Sequence, residues 1–324
     1  MQCPDPKAGI IVLNWNSWKD TIGCVESVRK LNYANYHLYV VDNASTDGSE
    51  EELRRFDPAL TVIQSGANRG WAGGNNVGIR AALADGCEHV YLLNSDARVE
   101  EDTLSRLIDA TTLTGAAALG SMVVSESNAQ WVEFAGSVID PRTHHPRHLY
   151  CNLAELAGNA KPTPTAAVKG CSMLLTGAGI EAVGLLPEEY FLNYEETDWC
   201  YRAAAKGLVN YFVPGSVVRH RGAASFGGTE SPLYRYFITR NRLLFAHRCL
   251  DSTGRRFAWR ITFWEFKKAL LLHHGKGRTA LRDRLLLARS VWFGLRDYCL
   301  SRLGDCPASV RTLNRQYVAS LRKG

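Results

Sequence analysis

His37-Leu38-Tyr39-Val40-Val41-Asp42-Asn43-Ala44-Ser45-Thr46-Asp47-Gly48-Ser49-Glu50-Glu51-Glu52 reads as a strand, a polar turn and the start of a helix. The strand covers His37–Val41 and ends at Asp42. Ser49 and Glu52 form a Ser-x-x-Glu capping box that predicts a helix opening at Ser49. The same unit recurs on both sides. Upstream, Gly9–Leu13 is an apolar run followed by a helix whose Ile22, Val25, Val28 and Leu31 recur every three residues. Downstream, Thr61–Gln64 is a short strand and Ser65 begins a turn. Asn68-Arg69-Gly70-Trp71-Ala72-Gly73-Gly74-Asn75-Asn76 then enters a helix with Ile79, Ala82 and Leu83 on one face, closed by Gly86. A further strand, Val90–Leu93, delivers Asn94-Ser95-Asp96. Strands separated by helices of this length predict an α/β fold: a Rossmann-like, mainly parallel sheet flanked by helices, with right-handed crossovers. Ligands of such sheets bind beyond the carboxyl ends of the strands, where Asn14, Asp42, Ser65 and Asp96 fall.

Past residue 115 the pattern becomes irregular. Ala116–Val124 and Tyr211–Val218 are strand-like, 141–148 is rich in Pro and His, and the Thr/Pro segment 162–165 reads as a loop. From about 233 the periodicity is helical, with Trp259, Phe263, Phe266 and Leu270 on one face among Arg and Lys. The expected division is a main domain over 1–250, in two halves meeting near 115, and a basic amphipathic helical extension over 251–324.

The chain has 324 residues, 46% hydrophobic and 22% charged, which excludes a disordered or fibrous protein. Nine cysteines, an odd number with no Cys-x-x-Cys pair, suit a reducing compartment better than a disulfide framework. No signal peptide precedes the first apolar run and no stretch approaches the ~18–20 apolar residues that span a bilayer, so a cytoplasmic protein is expected. Residues 1–239 carry 19 Lys/Arg against 27 Asp/Glu, whereas 240–324 carry 19 against 5. A basic, aromatic-rich end after an acidic body points to anionic surfaces such as lipid headgroups or nucleic acid.

Several clusters can carry chemistry. Asp42, Asn43 and Ser45 after a buried strand can bond a nucleobase or ribose, although Asx-capped turns use the same residues. The glycines of 70–74 before a helix can admit phosphate oxygens to backbone N–H groups, or simply make a tight turn; the stretch is neither GxGxxG nor GxxxxGK[ST]. Asp96 at a strand end can bind Mg²⁺ or Mn²⁺, or be structural, since Asn94 stands where a DxD site has its other carboxylate. Glu195-Glu196-Thr197-Asp198, directly after Tyr190-Phe191-Leu192-Asn193-Tyr194, is either a carboxylate base raised by apolar surroundings or an acidic helix start. His220 reads as a metal ligand or a core histidine. Arg219, Arg221, Arg240 and Arg242 can neutralise a diphosphate or lie on the surface.

Taken in order, Ile11-Val12-Leu13-Asn14-Trp15-Asn16, the 41–49 turn, Asn68-Arg69-Gly70-Trp71-Ala72-Gly73-Gly74-Asn75-Asn76-Val77-Gly78 and Leu92-Leu93-Asn94-Ser95-Asp96 resemble the inverting glycosyltransferases of family 2, particularly the bacterial rhamnosyltransferase-like branch that builds surface polysaccharides. The resemblance continues through Gly170–Leu174, Tyr190–Arg202, His220-Arg221-Gly222 with Ser225, and Arg240-Asn241, covering about 8–250. It implies a GT-A fold, a nucleotide-diphosphate sugar donor bound by the 1–115 half, an acceptor and catalytic half over 116–250, a divalent cation (Mg²⁺ or Mn²⁺) and inversion at the anomeric carbon. Carried over by position, Asn14, Asp42, Asn43, Ser45, Asn68, Gly70, Gly74, Asn75, Asn94 and Arg240 would bind the donor, and Asp96 and His220 the metal. Glu196 would be the base. The family usually has Asp there, so Glu195 and Asp198 are its rivals. The implied acceptor is a glycan or lipid-linked hydroxyl. Residues 255–324 are expected to touch the inner face of the membrane peripherally, with a homodimer interface as the alternative and no nucleic-acid partner. A sugar nucleotidyltransferase, or a non-catalytic sugar- or lipid-binding protein on the same fold, is the competing reading.

Overall fold

The computed structural model describes residues 5–156, 161–222, 231–271 and 281–321. In chain order its elements are β1 (Ala8–Asn14), α1 (Trp18–Val28), β2 (Tyr36–Asp42), α2 (Ser49–Phe56), β3 (Thr61–Gln64), α3 (Gly70–Ala84), β4 (His89–Asn94), β5 (Ala97–Val99), α4 (Thr103–Thr114), β6 (Ala118–Ser125), β7 (Trp131–Phe134), β8 (Ser137–Ile139), β9 (Pro146–His148), β10 (Cys151–Asn152), β11 (Thr163–Thr165), β12 (Ser172–Thr176), α5 (Gly177–Val183), α6 (Glu195–Ala205), β13 (Asn210–His220), α7 (Pro232–Cys249), α8 (Ser252–Leu271), α9 (Leu281–Cys299) and α10 (Ala308–Leu321). They form two compact units: Met1–Ile139 with Pro146–Glu188 and Glu195–Gly222, and Asp140–His145 with Glu189–Tyr194 and Ala223–Gly324.

The first unit is built on an eleven-stranded mixed sheet whose main path runs β10-β7-β6-β12-β4-β1-β2-β3. β1 pairs in parallel with both β2 and β4, and β2 with β3, as the βαβ alternation predicts. β12 and β7 run antiparallel to their neighbours, so the parallel half grades into an antiparallel one. Alternation along the strands supplies two cores. Ile11, Tyr39, Val41 and Leu92 face α3, α5 and α6, while Ile10, Val12, Val40, Tyr91 and Leu93 face α1, α2 and α4. A central sheet buried on both sides explains its Val/Ile/Leu-rich strands.

Several sequence expectations are corrected. α2 begins at Ser49, but its N-cap is Gly48 and the side chain of Ser49 makes no cap; Ser49 N–H and Oγ–H both donate to Asp47 Oδ1, so an Asx turn enters the helix. The buried face of α1 is Thr21, Cys24, Val25 and Val28; Ile22 is half-buried and Leu31 lies beyond the helix. On α3, Ile79 and Ala82 are buried but Leu83 is exposed. Segment 163–165 is not a loop: it is a strand paired with β13. The glycines of 70–74 are not a loop either. They are the first turns of α3, where Gly74 and Gly78 let the helix approach the sheet; a Cβ there would stand 2.5 Å from Leu13 Cδ1 and 2.6 Å from Ile11 Cγ2. Gly70 has φ +68°, a left-handed conformation that suits glycine.

The second unit is helical. α7 packs with α9 and α10 through Phe237, Tyr236, Cys306 and Val310. On α8 the buried positions are the small or polar Gly254, Ala258, Thr262 and Ala269. The expected apolar stripe is split: Phe263 and Leu270 are exposed, while the half-buried Trp259 meets Tyr298 edge-on and the half-buried Phe266 packs on the cluster of Ala269, Leu286 and Leu313. No described helix is long and apolar enough to cross a membrane, and Cys24, Cys87, Cys171, Cys200, Cys299 and Cys306 are free thiols.

Candidate active site

β1, β2 and β4 deliver Asn14, Asp42 and Asn94 to one edge of the sheet, since parallel register places Asn14 beside Asp42 and Leu13 beside Asn94. Asp42 is 2% exposed, and both its oxygens are engaged. Oδ1 accepts from Asn14 Nδ2 at 2.7 Å and from Ser45 Oγ, while Oδ2 accepts from Gln64 Nε2 at 2.9 Å and Ser45 N–H at 3.3 Å. Asn14 also accepts from Thr21 Oγ1 at 2.7 Å. Asn43 ties the following turn to α3: its Oδ1 accepts from Arg69 N–H at 3.0 Å and its Nδ2 donates to Gly70 O at 3.1 Å. Asn68 Oδ1 accepts from Gly70 N–H at 3.0 Å. Asn14, Asp42 and Asn43 therefore brace a platform whose partly exposed members are Ser45 and Asn68.

Trp71 Nε1 donates to Asn94 Oδ1 at 2.9 Å, which fixes the amide of the residue standing in place of a second carboxylate. Gly170 lies flat on the Trp71 ring, where a Cβ would be 3.0 Å from Cζ2. Asn75, 1% exposed, donates to Trp71 O at 2.8 Å, and its Oδ1 has no hydrogen-bond partner among the described residues.

Asp96 and His220 are far apart in sequence and meet because β5 and β13 pair antiparallel with Ala97 opposite His220. His220 Nε2 lies 3.3 Å from Asp96 Oδ1. On the other side of the ring, Nδ1 lies 3.4 Å from Glu133 Oε2, which also accepts from Lys169 Nζ at 2.9 Å. β13 runs parallel to β6 with His220 beside Ser125, and β6 pairs with β7, which carries Glu133. Burial opposes charge on His220, but Cys171 and the carboxylates of Asp96 and Glu133 outweigh it and carry the imidazolium up to about 10. The His220 hydrogen bond, with Lys169 beside it, holds Glu133 down to about 2 against burial. Burial likewise pulls Asp96 up, and the bond and charge of His220 outweigh it, leaving Asp96 below the usual carboxylate range.

Do these residues fit a divalent cation? Two donors each ~2.1 Å from an octahedral ion and at right angles to one another stand ~3 Å apart. The Asp96–His220 gap of 3.3 Å matches neighbouring vertices. No group of three or more His, Cys, Asp or Glu able to hold a metal occurs among the described residues. Two protein donors completed by diphosphate oxygens and water suit Mg²⁺ or Mn²⁺, which keep much of their shell outside the protein.

At the start of α6, Glu195 is 3% exposed, Glu196 is partly exposed and Asp198 is fully buried. Burial raises the Glu196 carboxyl above its ordinary value, moderated by its own and Thr197's backbone N–H groups and by the charge of Lys169. Asp198 accepts from Arg202 Nε at 2.8 Å, and the same guanidinium donates to Val183 O and Leu185 O. That pair locks α6 to the chain after α5, a structural use that leaves Asp198 no route to a substrate.

The four arginines singled out in the sequence have partners within the protein. Arg219 pairs with Glu100, Arg221 with Asp20 and Arg242 with Glu265. Arg240 is fully buried in the helical unit, donating to Tyr190 O at 2.8 Å and Asn241 Oδ1 at 2.9 Å, with its charge over the Phe237 ring. Beside it, Asn241 Nδ2 donates to the carbonyls of Tyr190, Leu192 and Asn193. It secures a turn in which Phe191, Asn193 and Tyr194 all have positive φ. Ser225 lies outside the described residues. Glu133 and Lys169 belong to no motif, and their approach to His220 depends on strand pairing that no local signal reports.

Residues 9–162 match the family model "Glycosyl transferase family 2". The chain is 24% identical over 232 residues to the dTDP-rhamnosyl transferase RfbF of Shigella flexneri, covering 67% of this chain and 73% of that protein. It is 26% identical over 208 residues to the low-salt glycan biosynthesis hexosyltransferase Agl10 of Haloferax volcanii, covering 61% and 62%. In fold it resembles the mannosyltransferase PcManGT of Pyrobaculum calidifontis, solved with GDP-Man and Mn²⁺, at a TM-score of 0.54 and 16% identity over 98% of this chain and 81% of that one. GalNAc-T7, solved with UDP, GalNAc and Mn²⁺, gives a TM-score of 0.54 at 14% identity, covering 79% of this chain and 54% of that one. Ordered strand-end motifs, sheet topology and relatives agree: residues 9–162 carry the glycosyltransferase family 2 match, and the relatives and fold neighbours support a nucleotide-sugar-dependent glycosyltransferase of GT-A fold.

Proposed function

We propose that the protein transfers a hexose or deoxyhexose, rhamnose in the first instance, from a nucleoside diphosphate to a hydroxyl of a glycan or lipid-linked acceptor, with inversion. The observation that carries the reading is the convergence of Asp96 and His220, 3.3 Å apart, within the same unit as the partly buried Glu196, whose carboxyl is raised towards the range of a general base. Asp96 Oδ1 and His220 Nε2 would hold the cation, which when bound supplies positive charge to the departing diphosphate. Glu196 takes the proton of the acceptor hydroxyl as its oxygen attacks the anomeric carbon. The bond to the diphosphate breaks on the opposite face. The Asp42–Asn14–Ser45 platform and the first turns of α3 orient the nucleoside, with Asn75 Oδ1 a buried acceptor on that helix. Rhamnose is suggested by the dTDP-rhamnosyl transferase RfbF, and a role in glycan biosynthesis by the hexosyltransferase Agl10.

The exposed Phe263, Trp264, Leu285 and Trp292 of α8 and α9, interspersed with Arg260, Lys267, Arg282 and Arg289, support peripheral contact of the helical unit with an anionic membrane face. The decisive experiment is a thermal-shift panel of dTDP-, UDP- and GDP-sugars with and without Mn²⁺ on wild type and Asp96→Ala. The expected result is a metal-dependent shift for one donor class, lost in the variant. A shift that survives Asp96→Ala would remove the metal role.

A further inference from the structure

We propose that Glu133, backed by Lys169, is the positioning residue that fixes the imidazole of His220 so that Nε2 faces Asp96; this rests on the reading that Asp96 and His220 hold the cation. The ring of His220 has two nitrogens and the structure gives each one carboxylate: Asp96 Oδ1 at 3.3 Å from Nε2 and Glu133 Oε2 at 3.4 Å from Nδ1. Because the two nitrogens point away from one another, an ion bound at Nε2 is out of reach of Glu133. The Glu133 carboxylate therefore serves the ring itself: it accepts the Nδ1–H, so that Nε2 is the nitrogen that gives up its proton and turns its lone pair to the metal when the cation binds.

Lys169 makes this arrangement definite. Its ammonium donates to the same oxygen, Glu133 Oε2, at 2.9 Å, so the carboxylate is held from one side by Lys169 and from the other by the imidazole. The backbone leaves no slack. β7 fixes Glu133 through β6 to β13, and Gly222, at φ +69°, passes close enough that a Cβ there would sit 3.5 Å from His220 Nδ1 and 3.9 Å from Glu133 Oε1. A Cβ at those distances would make only ordinary contacts; it is the left-handed backbone of Gly222 that favours glycine.

The test titrates Mn²⁺ alone into full-length wild type, Glu133→Gln and Glu133→Ala, reading free ion by electron paramagnetic resonance, and records the ¹⁵N signals of the His220 ring with Mg²⁺. Loss of such an outer-shell partner lowers metal affinity by about 10- to 100-fold. That loss is expected in Glu133→Ala, with a smaller one in the isosteric Glu133→Gln, whose amide oxygen still accepts the Nδ1–H. The ring signals should show Nδ1–H in wild type and a mixture of tautomers in Glu133→Ala, at a melting temperature close to wild type in Glu133→Gln. Wild-type Mn²⁺ affinity and an unchanged ring spectrum in both variants would overturn the positioning role while leaving the metal site standing. A wild type that takes up no Mn²⁺ at millimolar concentration would overturn both.

Discussion

Asp42→Asn isolates what the strand-end platform contributes, because it keeps the shape of the side chain and changes one oxygen into an N–H₂ group. In the native protein each carboxylate oxygen faces two donors: Asn14 Nδ2 and Ser45 Oγ–H at Oδ1, Gln64 Nε2 and Ser45 N–H at Oδ2. Whichever oxygen the amide nitrogen replaces, two donors lose their acceptor and meet another donor. Asp42 itself is 2% exposed, but Gln64 is exposed and Ser45 partly so, and water takes over part of what those donors lose. A buried unsatisfied group costs about 1–3 kcal/mol, and a destabilisation of about 1–3 kcal/mol is expected of the variant. Urea unfolding followed by far-UV circular dichroism measures this as a lowered midpoint at unchanged slope. Ser45→Ala provides the comparison: it removes the Oγ–H donor to Asp42 together with the acceptor of Asn14 Nδ2 and Asn16 N–H, all at a partly exposed position, so a loss of about 1 kcal/mol is expected. A cost below about 1 kcal/mol for Asp42→Asn, or one equal to that of Ser45→Ala, would refute the claim that Asp42 is the saturated hub of the platform.

Two further outcomes follow from the site and the surface. Glu196→Gln should lower turnover by about 10²–10⁴-fold with donor binding nearly intact, as removal of a general base does, and calorimetry of donor binding beside the steady-state rate separates the two; near-normal transfer would move the base elsewhere. The double substitution Phe263→Ser with Trp264→Ser, at positions 53% and 52% exposed, should leave the melting temperature alone and reduce co-sedimentation with anionic liposomes, whereas unchanged sedimentation would leave the aromatic face without a membrane role.

The parallel half of the fold was legible because its signals are local. A buried parallel strand is a short apolar run, and β1, β2, β3 and β4 agree with their predicted spans to within a residue at each end. What could not be read were features fixed by long-range pairing. β11 carries a proline and no hydrophobic alternation, and it is a strand only because β13 lies beside it. Glycines 70–74 read as a loop before a helix, whereas they lie in the first turns of α3, and Gly74 there and Gly78 beyond it let the helix close on Leu13 and Ile11. Asp96 and His220 were individually visible as strand-end residues, but Glu133 reaches His220 through the β7–β6 and β6–β13 pairings, and Lys169 from the segment between β11 and β12, neither of which leaves a trace in spacing. The split stripe of α8 has a related cause: helical periodicity locates an apolar face without saying whether protein or solvent meets it.

Lys169 joins the two halves of the chemistry, which gives a prediction about pH. Its ammonium bonds Glu133 on the metal side, and its charge also draws the Glu196 carboxyl down against the larger, opposing effect of burial. A base works only when ionised, so the rate should rise with pH through the Glu196 carboxyl, at a position above the ordinary carboxylate value of 4.5. Lys169→Met removes the one cation that favours the ionised form. The direction is then fixed: Glu196 holds its proton to a higher pH, and the acid limb of the rate profile moves to higher pH. The basic side of the profile should stay in place, because the substitution does not alter the acceptor hydroxyl. Measured at saturating Mn²⁺, so that any loosening of Glu133 and His220 is compensated by occupancy, kcat against pH separates this effect from a weakened metal site. A limb that stays where it is in wild type, or moves to lower pH, would show that Lys169 does not act on the base and that the charge of Glu196 is set by its burial alone.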